Sequence, residues 1–245
     1  MNILFSRTMI IVAVMLLITA ATTRFNKTFE TKREYWITFW LTIWLLFVIG
    51  SFADQYPVNL ILVGLLSALI GWQIGPALSS YQQSAKLKEF ANTRNIAYNK
   101  KDWIILDDQQ MIDFNQYVID YPESTQWNKV ISQTILACVA TLLVTAGIVW
   151  FTDIDFGFLQ YFLLIALIML IIVWLLNAFI FRSKIVSVIK SYVWVLVFTW
   201  YLLYDFNQLE KFASDETWST AIHMSVNIYL DIINLFMYLL NILSD

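Results

Sequence analysis

Seven stretches of the chain are apolar over roughly the 20 residues that a membrane-spanning helix needs, and polar residues gather between them. They run approximately over 8–23, 35–53, 57–78, 130–151, 156–181, 185–204 and 221–243. None keeps the period of two that a barrel strand requires, so helices are predicted throughout. One long polar insert, 79–128, separates the third segment from the fourth. Its basic first half, "AKLKEFANTRNIAYNKKD", leads into an acidic second half, "LDDQQMIDFNQYVIDYPESTQ". The first half predicts an amphipathic surface helix and the second a solvated acidic face. Asp107, Asp108, Asp113, Asp120 and Glu123 lack the regular alternation and the turn glycine of an EF-hand loop.

The apolar pattern is broken most sharply in the last segment, where "NIYLDIINLFMYLL" places Asp231 among lipid-soluble residues. A carboxylate near the centre of a membrane helix costs roughly 2.5–3.5 kcal/mol on insertion scales and normally faces a partner or water. At about 100° per residue, His223, Asn227, Asp231, Asn234, Tyr238 and Asn241 share a sector of about 80° on this helix. That stripe must face protein or water, because lipid offers it no hydrogen bonds. A second stripe closes the sixth segment: Tyr201, Asp205 and Gln208 in "YLLYDFNQL" stand at i, i+4 and i+7 on one helix face. Asp54, Asp153 and Asp155 fall in short loops and are expected to be solvated, as are Glu210, Asp215 and Glu216 in the turn before the last segment. Gly71 and Gly75, in "LIGWQIGP", have the spacing of close helix packing.

Composition agrees with the pattern. Apolar residues make up 60% of the 245 and charged residues 13%, about half the charged share of a soluble domain. The class is an all-α polytopic membrane protein. Cys138 is the single cysteine and His223 the single histidine, which excludes an intrachain disulfide and a zinc site of the usual kind. The connections after segments one, three and five, with Lys129 and Lys190 at the adjoining helix starts, hold 13 of the 15 Lys and Arg residues. By the positive-inside rule those connections and the insert face the cytoplasm, with the N-terminus outside. The first segment also has the outline of a short signal peptide, but the four basic residues after it suit a retained helix better. The aromatic residues, 17% of the chain, suit interfacial belts. No P-loop, dinucleotide fingerprint, "HExxH" or Gly-x-Ser-x-Gly motif is present, so neither an enzyme nor a cofactor is expected. The expected partners are membrane lipid and not nucleic acid.

"YLLYDFNQLE", followed after a short polar turn by "SVNIYLDIINLFMYLLNIL", resembles the closing signature of the Bax inhibitor-1 (TMBIM) family. Tyr204, Asp205, Gln208, Tyr229, Leu230, Asp231, Asn234, Leu235 and Phe236 stand where the family pattern puts them. Weaker likeness extends upstream through "VISQTILACVATLLVTAGIVWFTDIDFGFLQYFLL" and "GLLSALIGWQIGP". The resemblance implies a seven-transmembrane-helix bundle with the last helix central. It also implies a calcium leak gated by pH through two aspartates, here Asp205 and Asp231, which would meet calcium transiently. Gln208, Asn227 and Asn234 are candidates for further oxygen ligands, and His223 for tuning the field at the mouth. Bacterial relatives place an arginine near the second and third helices as a latch for the first aspartate; "GSFADQYP" has none and offers Asp54 instead. They also carry their basic residues in the even loops, opposite to the distribution found in this chain.

Two carboxylates in a poorly solvated site cannot both ionise cheaply, so they titrate as a unit and share a proton. A rival expectation is a membrane regulator or scaffold that binds a protease or a cell-death partner through the 79–128 insert and conducts nothing. An intramembrane hydrolase using the aspartates as acid and base has no companion motif. The expected location is a bacterial inner membrane or an endomembrane such as the endoplasmic reticulum.

Overall fold

Backbone N–H and C=O groups inside a bilayer must be satisfied within their own segment, which a helix does at every residue. The computed structural model describes residues 3–96, 104–121, 123–152, 154–176 and 184–244, and every regular element among them is helical. In chain order these are α1 (Ile3–Thr22), α2 (Lys32–Phe52), α3 (Val58–Thr93), α4 (Asp108–Asp120), α5 (Thr125–Phe151), α6 (Leu159–Leu176), α7 (Lys184–Lys211) and α8 (Trp218–Ser244). A 3-10 turn, Phe156–Phe158, leads into α6. Among the described residues, α1, α2, α3, α5 and α8 are each long and apolar enough to cross a membrane. The predicted end of the fifth segment at Phe181, together with Lys100, Lys101, Asp153 and Arg182, lies outside the described residues.

α2, α4 and α5 start where polar side chains relieve their unpaired N–H groups. Thr31 accepts from the Glu34 N–H and Ser124 from the Trp127 N–H, while Asp107 and Gln110 form a reciprocal capping box at the start of α4. Asp107 is thus occupied as a cap. Asp113 and Asp120 accept from Gln109 and Gln116 one turn before them.

α8 is the hub of the bundle, packed against α7, α1, α5 and α3. Its buried residues include Ala221, Ser225, Ile228, Tyr229, Ile232 and Leu235, so three sides of the helix meet protein. α2 packs on α3 alone among the larger contacts, and Trp36, Trp40 and Trp44 stand exposed along it at i, i+4 and i+8. These exposed side chains form the apolar exterior that lipid contacts in such a bundle.

α1 and α3 approach most closely near Gly71 and Gly75. A Cβ on Gly71 would sit 2.6 Å from the Thr19 carbonyl oxygen and collide with the Thr22 hydroxyl; one on Gly75 would sit 2.8 Å from the Thr23 carbonyl oxygen and collide with that of Asn26. Pro76 follows inside the same helix and has no N–H to give the carbonyl four residues back. That carbonyl, on Trp72, accepts instead from the Asn26 side chain at 3.1 Å. The glycines therefore admit the chain after α1, and the chain repairs the hydrogen bond that the proline removes.

The first half of the insert is not a separate surface helix, as its composition predicts, but the continuation of α3 through Thr93. Good helix formers carry it past the membrane boundary, and buried contacts hold it. Lys86 donates to the Tyr121 carbonyl at 2.7 Å, Glu89 accepts from Ser124 at 2.7 Å, and Phe90 packs edge-on against Phe114 of α4. Lys88 donates to the Ser244 carbonyl at the end of α8. The insert is thereby braced on the hub helix.

Gly71→Ala should destabilise the bundle by about 1–3 kcal/mol, the usual cost of overpacking, because the atoms it meets include backbone. Unfolding in detergent micelles measures this. Gly147→Ala, whose Cβ would meet only the Phe151 ring at 4.0 Å, should be no less stable than the parent.

Candidate functional site

The apolar sequence on both sides of Asp231 keeps it in the bundle, and the helical phase of α8 turns it toward α7. Asp205 reaches the same place from the opposite direction, because the short connection after Lys211 makes α7 and α8 an antiparallel pair. The two carboxyl groups lie within hydrogen-bonding reach of each other. Asp205 is 3% exposed and Asp231 8% exposed. Leu202, Phe206, Ile228, Ile232 and Leu235, all buried, surround this part of the seam. One oxygen of each carboxyl, Oδ2, is buried and accepts no hydrogen bond from any protein donor. Two carboxylates offer each other only acceptors; a proton between them would supply the missing donor.

Tyr201 stands one turn before Asp205, and its hydroxyl donates to the Leu163 carbonyl on α6 at 3.0 Å. Gln208 is half-buried one turn beyond Asp205. On α8 the polar stripe changes character along its length. His223 and Asn227 are exposed, Asp231 is buried, and Asn234 and Asn241 are half-buried. The exposed part lies toward the end of the bundle that carries the α2–α3 and α7–α8 turns, with the His223 ring facing Gly50 of α2. Asn234 donates to the Leu230 carbonyl in its own helix at 2.8 Å, and Asn241 donates to the Ser191 hydroxyl of α7 at 2.7 Å. Asp54 is exposed in the α2–α3 turn, away from the buried pair.

Two buried features escape a reading of charges alone. Tyr229, fully buried, exchanges a 2.6 Å hydrogen bond with the Thr19 hydroxyl, and Thr19 also lies 3.1 Å from the Ser67 carbonyl. This ties α8 to α1 and α3 and fixes the rotation of the helix that carries Asp231. Asn207 is buried with its Oδ1 unpaired, two residues after Asp205 and on another face. Its apolar neighbours Phe206 and Leu209 gave no sign of it.

At the turn end, arginine and lysine serve the connections rather than the carboxyl pair. Arg7 of α1 lies 5.0 Å over the Trp218 ring and donates to the Glu216 carbonyl, while Tyr56 stacks on the same tryptophan at 5.1 Å. Lys211 pairs with Asp155, so Asp155 is not merely solvated. The Lys211 ammonium, with help from the Gly157 N–H, holds the Asp155 carboxyl below the usual carboxylate range; the Thr220 hydroxyl does the same for Asp215.

A family profile described as "Inhibitor of apoptosis-promoting Bax1" matches residues 118–245, which hold α5 to α8 and both aspartates. The chain is similar to LIFEGUARD 1 of Arabidopsis thaliana, 38% identical over 91 residues, or 37% of each chain. It is equally similar, 38% over 91 residues and 37% of each chain, to an uncharacterised protein of Campylobacter jejuni. LIFEGUARD 4 of Arabidopsis thaliana is 34% identical over 121 residues, 48% of this chain and 47% of that one. Each of these matches spans less than half of the relative's length.

The sign of the pH effect at the turn end follows from the two lowered carboxyls. A carboxyl whose folded value lies below its unfolded value of about 3.9 contributes stability above that pH and loses it as pH falls through the folded value. Carbon-13 titration of the aspartate carboxyls should therefore show the Asp155 midpoint rising in Lys211→Ala, with the Asp215 midpoint unmoved.

Proposed function

The chain belongs to the Bax inhibitor-1 family of integral membrane proteins, and on that premise we propose that it is a pH-sensitive calcium leak gated by Asp205 and Asp231. The observation that carries this reading is the burial of two carboxyls, face to face, between the last two helices. With a shared proton the pair bridges α7 and α8 and the path stays closed. When that proton leaves, like charges in a poorly solvated seam repel, the helices separate, and two hard oxygen ligands of the kind calcium prefers are exposed. Among the described residues no three His, Cys, Asp or Glu side chains gather. Two carboxylates fall well short of the six to eight oxygens of a resident calcium ion, which suits an ion in passage.

The stripe on α8 supplies the approach. His223 and Asn227, exposed at the turn end, form the mouth; Gln208 and Asn234 flank the pair and offer carbonyl oxygens. On the positive-inside rule the insert end would lie in the cytoplasm and the mouth would face outward. The reading needs no enzymatic step.

A second reading, a regulator that docks a protein partner through the insert, draws on one observation. Ile112 and Ile119 of α4, spaced by seven, are 61% and 72% exposed among its acidic residues, and Ile105, just before the helix, is 87% exposed. Replacing Ile112 and Ile119 by serine should abolish co-purification of a partner and leave calcium flux unchanged if this reading holds.

The test of the leak is calcium flux into liposomes between about pH 6 and pH 8. The parent chain should show a pH-dependent flux, and Asp205→Asn, Asp231→Asn together should remove the pH response. Equal flux and equal pH response in the two proteins would refute the reading.

A further inference from the structure

The α7–α8 seam continues past the carboxyl pair toward the insert end, and it is built in heptads. Seven residues before Asp205, α7 presents Phe198; seven residues after Asp231, α8 presents Tyr238. Their rings lie 6.0 Å apart at 16°. Trp194, one turn further along α7, stacks on both, at 5.3 Å and 13° from Phe198 and at 5.2 Å and 6° from Tyr238. Trp194 and Phe198 are buried. Tyr201 leans on Phe198 from the side of the carboxyl pair, and the Asn241–Ser191 hydrogen bond closes the seam nearer the insert end.

We propose that Trp194, Phe198 and Tyr238 form a second constriction of the ion path, between the carboxyl pair and the insert end, that closes it without using a charge. The proposal rests on the leak reading above. An ion leaving two carboxylate ligands meets three near-parallel rings in a stack spanning both helices. It cannot exchange its water for ligands there, and hydrophobic constrictions of this kind close by dewetting. The stack is also poised to part. The Trp194 Nε1–H is buried with no protein acceptor, and it gains a partner only when water enters the seam. Separation of α7 from α8 at the carboxyl pair pulls Phe198 from Tyr238 at the same time, because each pair sits on the same two helices. Two barriers of different chemistry are thereby opened by one movement.

The constriction is read by chemical access. In the full chain with Cys138→Ser, Asn234→Cys places a thiol between the carboxyl pair and the stack. A membrane-impermeant maleimide is then added from the insert side of oriented vesicles. Tyr238→Phe keeps the ring and should label as slowly as the parent. Tyr238→Ala should label at least about tenfold faster, as should Tyr238→Gln, which keeps much of the volume but offers water a polar partner in the seam. Calcium flux, measured in parallel without the introduced cysteine, should rise in the same two variants. Unchanged labelling in both overturns the constriction even if flux in the parent follows the carboxyl pair. Faster labelling with no calcium flux from any variant at any pH upholds the constriction and overturns the calcium reading.

Discussion

Two carboxyl groups that meet inside a membrane bundle must come to terms with each other, since neither lipid nor the apolar side chains around them can. Asp205 and Asp231 are buried on facing sides of α7 and α8, each with an oxygen that no protein donor reaches. The rest of the bundle is arranged around keeping them there. α8 takes the central place, and its rotation is fixed by the Tyr229–Thr19 hydrogen bond, with Ser67 beside it. α3 can come close enough to α1 for that contact because Gly71 and Gly75 carry no side chain. Asn26 then restores the hydrogen bond that Pro76 withholds from Trp72. A substitution in this remote packing acts on the carboxyl pair only by turning or shifting α8.

The charged ends of the bundle are separate from its buried acids. Arg7 and Lys211 hold the connections at the turn end, through Trp218, Glu216 and Asp155. Lys86 and Lys88 hold the insert end, through Tyr121 and Ser244. No arginine is needed at the carboxyl pair if a proton serves as the bridge, which gives the missing latch residue a physical counterpart. The Lys88–Ser244 contact also ties the insert to the end of the helix that carries Asp231.

Much of this was legible in the residues. Apolar runs gave the helical membrane class, helical phase put Asp231 and Asp205 on inward faces, and the closing signature joined them as a pair. What escaped had two physical causes. Hydropathy marks where a helix leaves the lipid, not where it ends, so the apolar run predicts an end near Leu78 although helix formers carry α3 on to Thr93. Aromatic residues in a membrane chain usually mark the interfaces, which hid the stack of Trp194, Phe198 and Tyr238 inside the bundle. The signal that would have exposed it is the spacing: Trp194, Phe198, Tyr201 and Asp205 lie on one face of α7. Spacing within one helix, however, does not say which residue of another helix stands opposite. Contacts such as Thr19 with Tyr229, 210 positions apart, come only from the packed bundle.

The central claim is that Asp205 and Asp231 hold one proton in common, and infrared difference spectroscopy across a pH step observes that proton directly. With the aspartates carbon-13 labelled, the account predicts one hydrogen-bonded carboxylic acid band, lost as the pair ionises and removed or shifted by Asp205→Asn and by Asp231→Asn alike. A band that responds to only one of these substitutions, or two carboxylates that titrate independently, would contradict it.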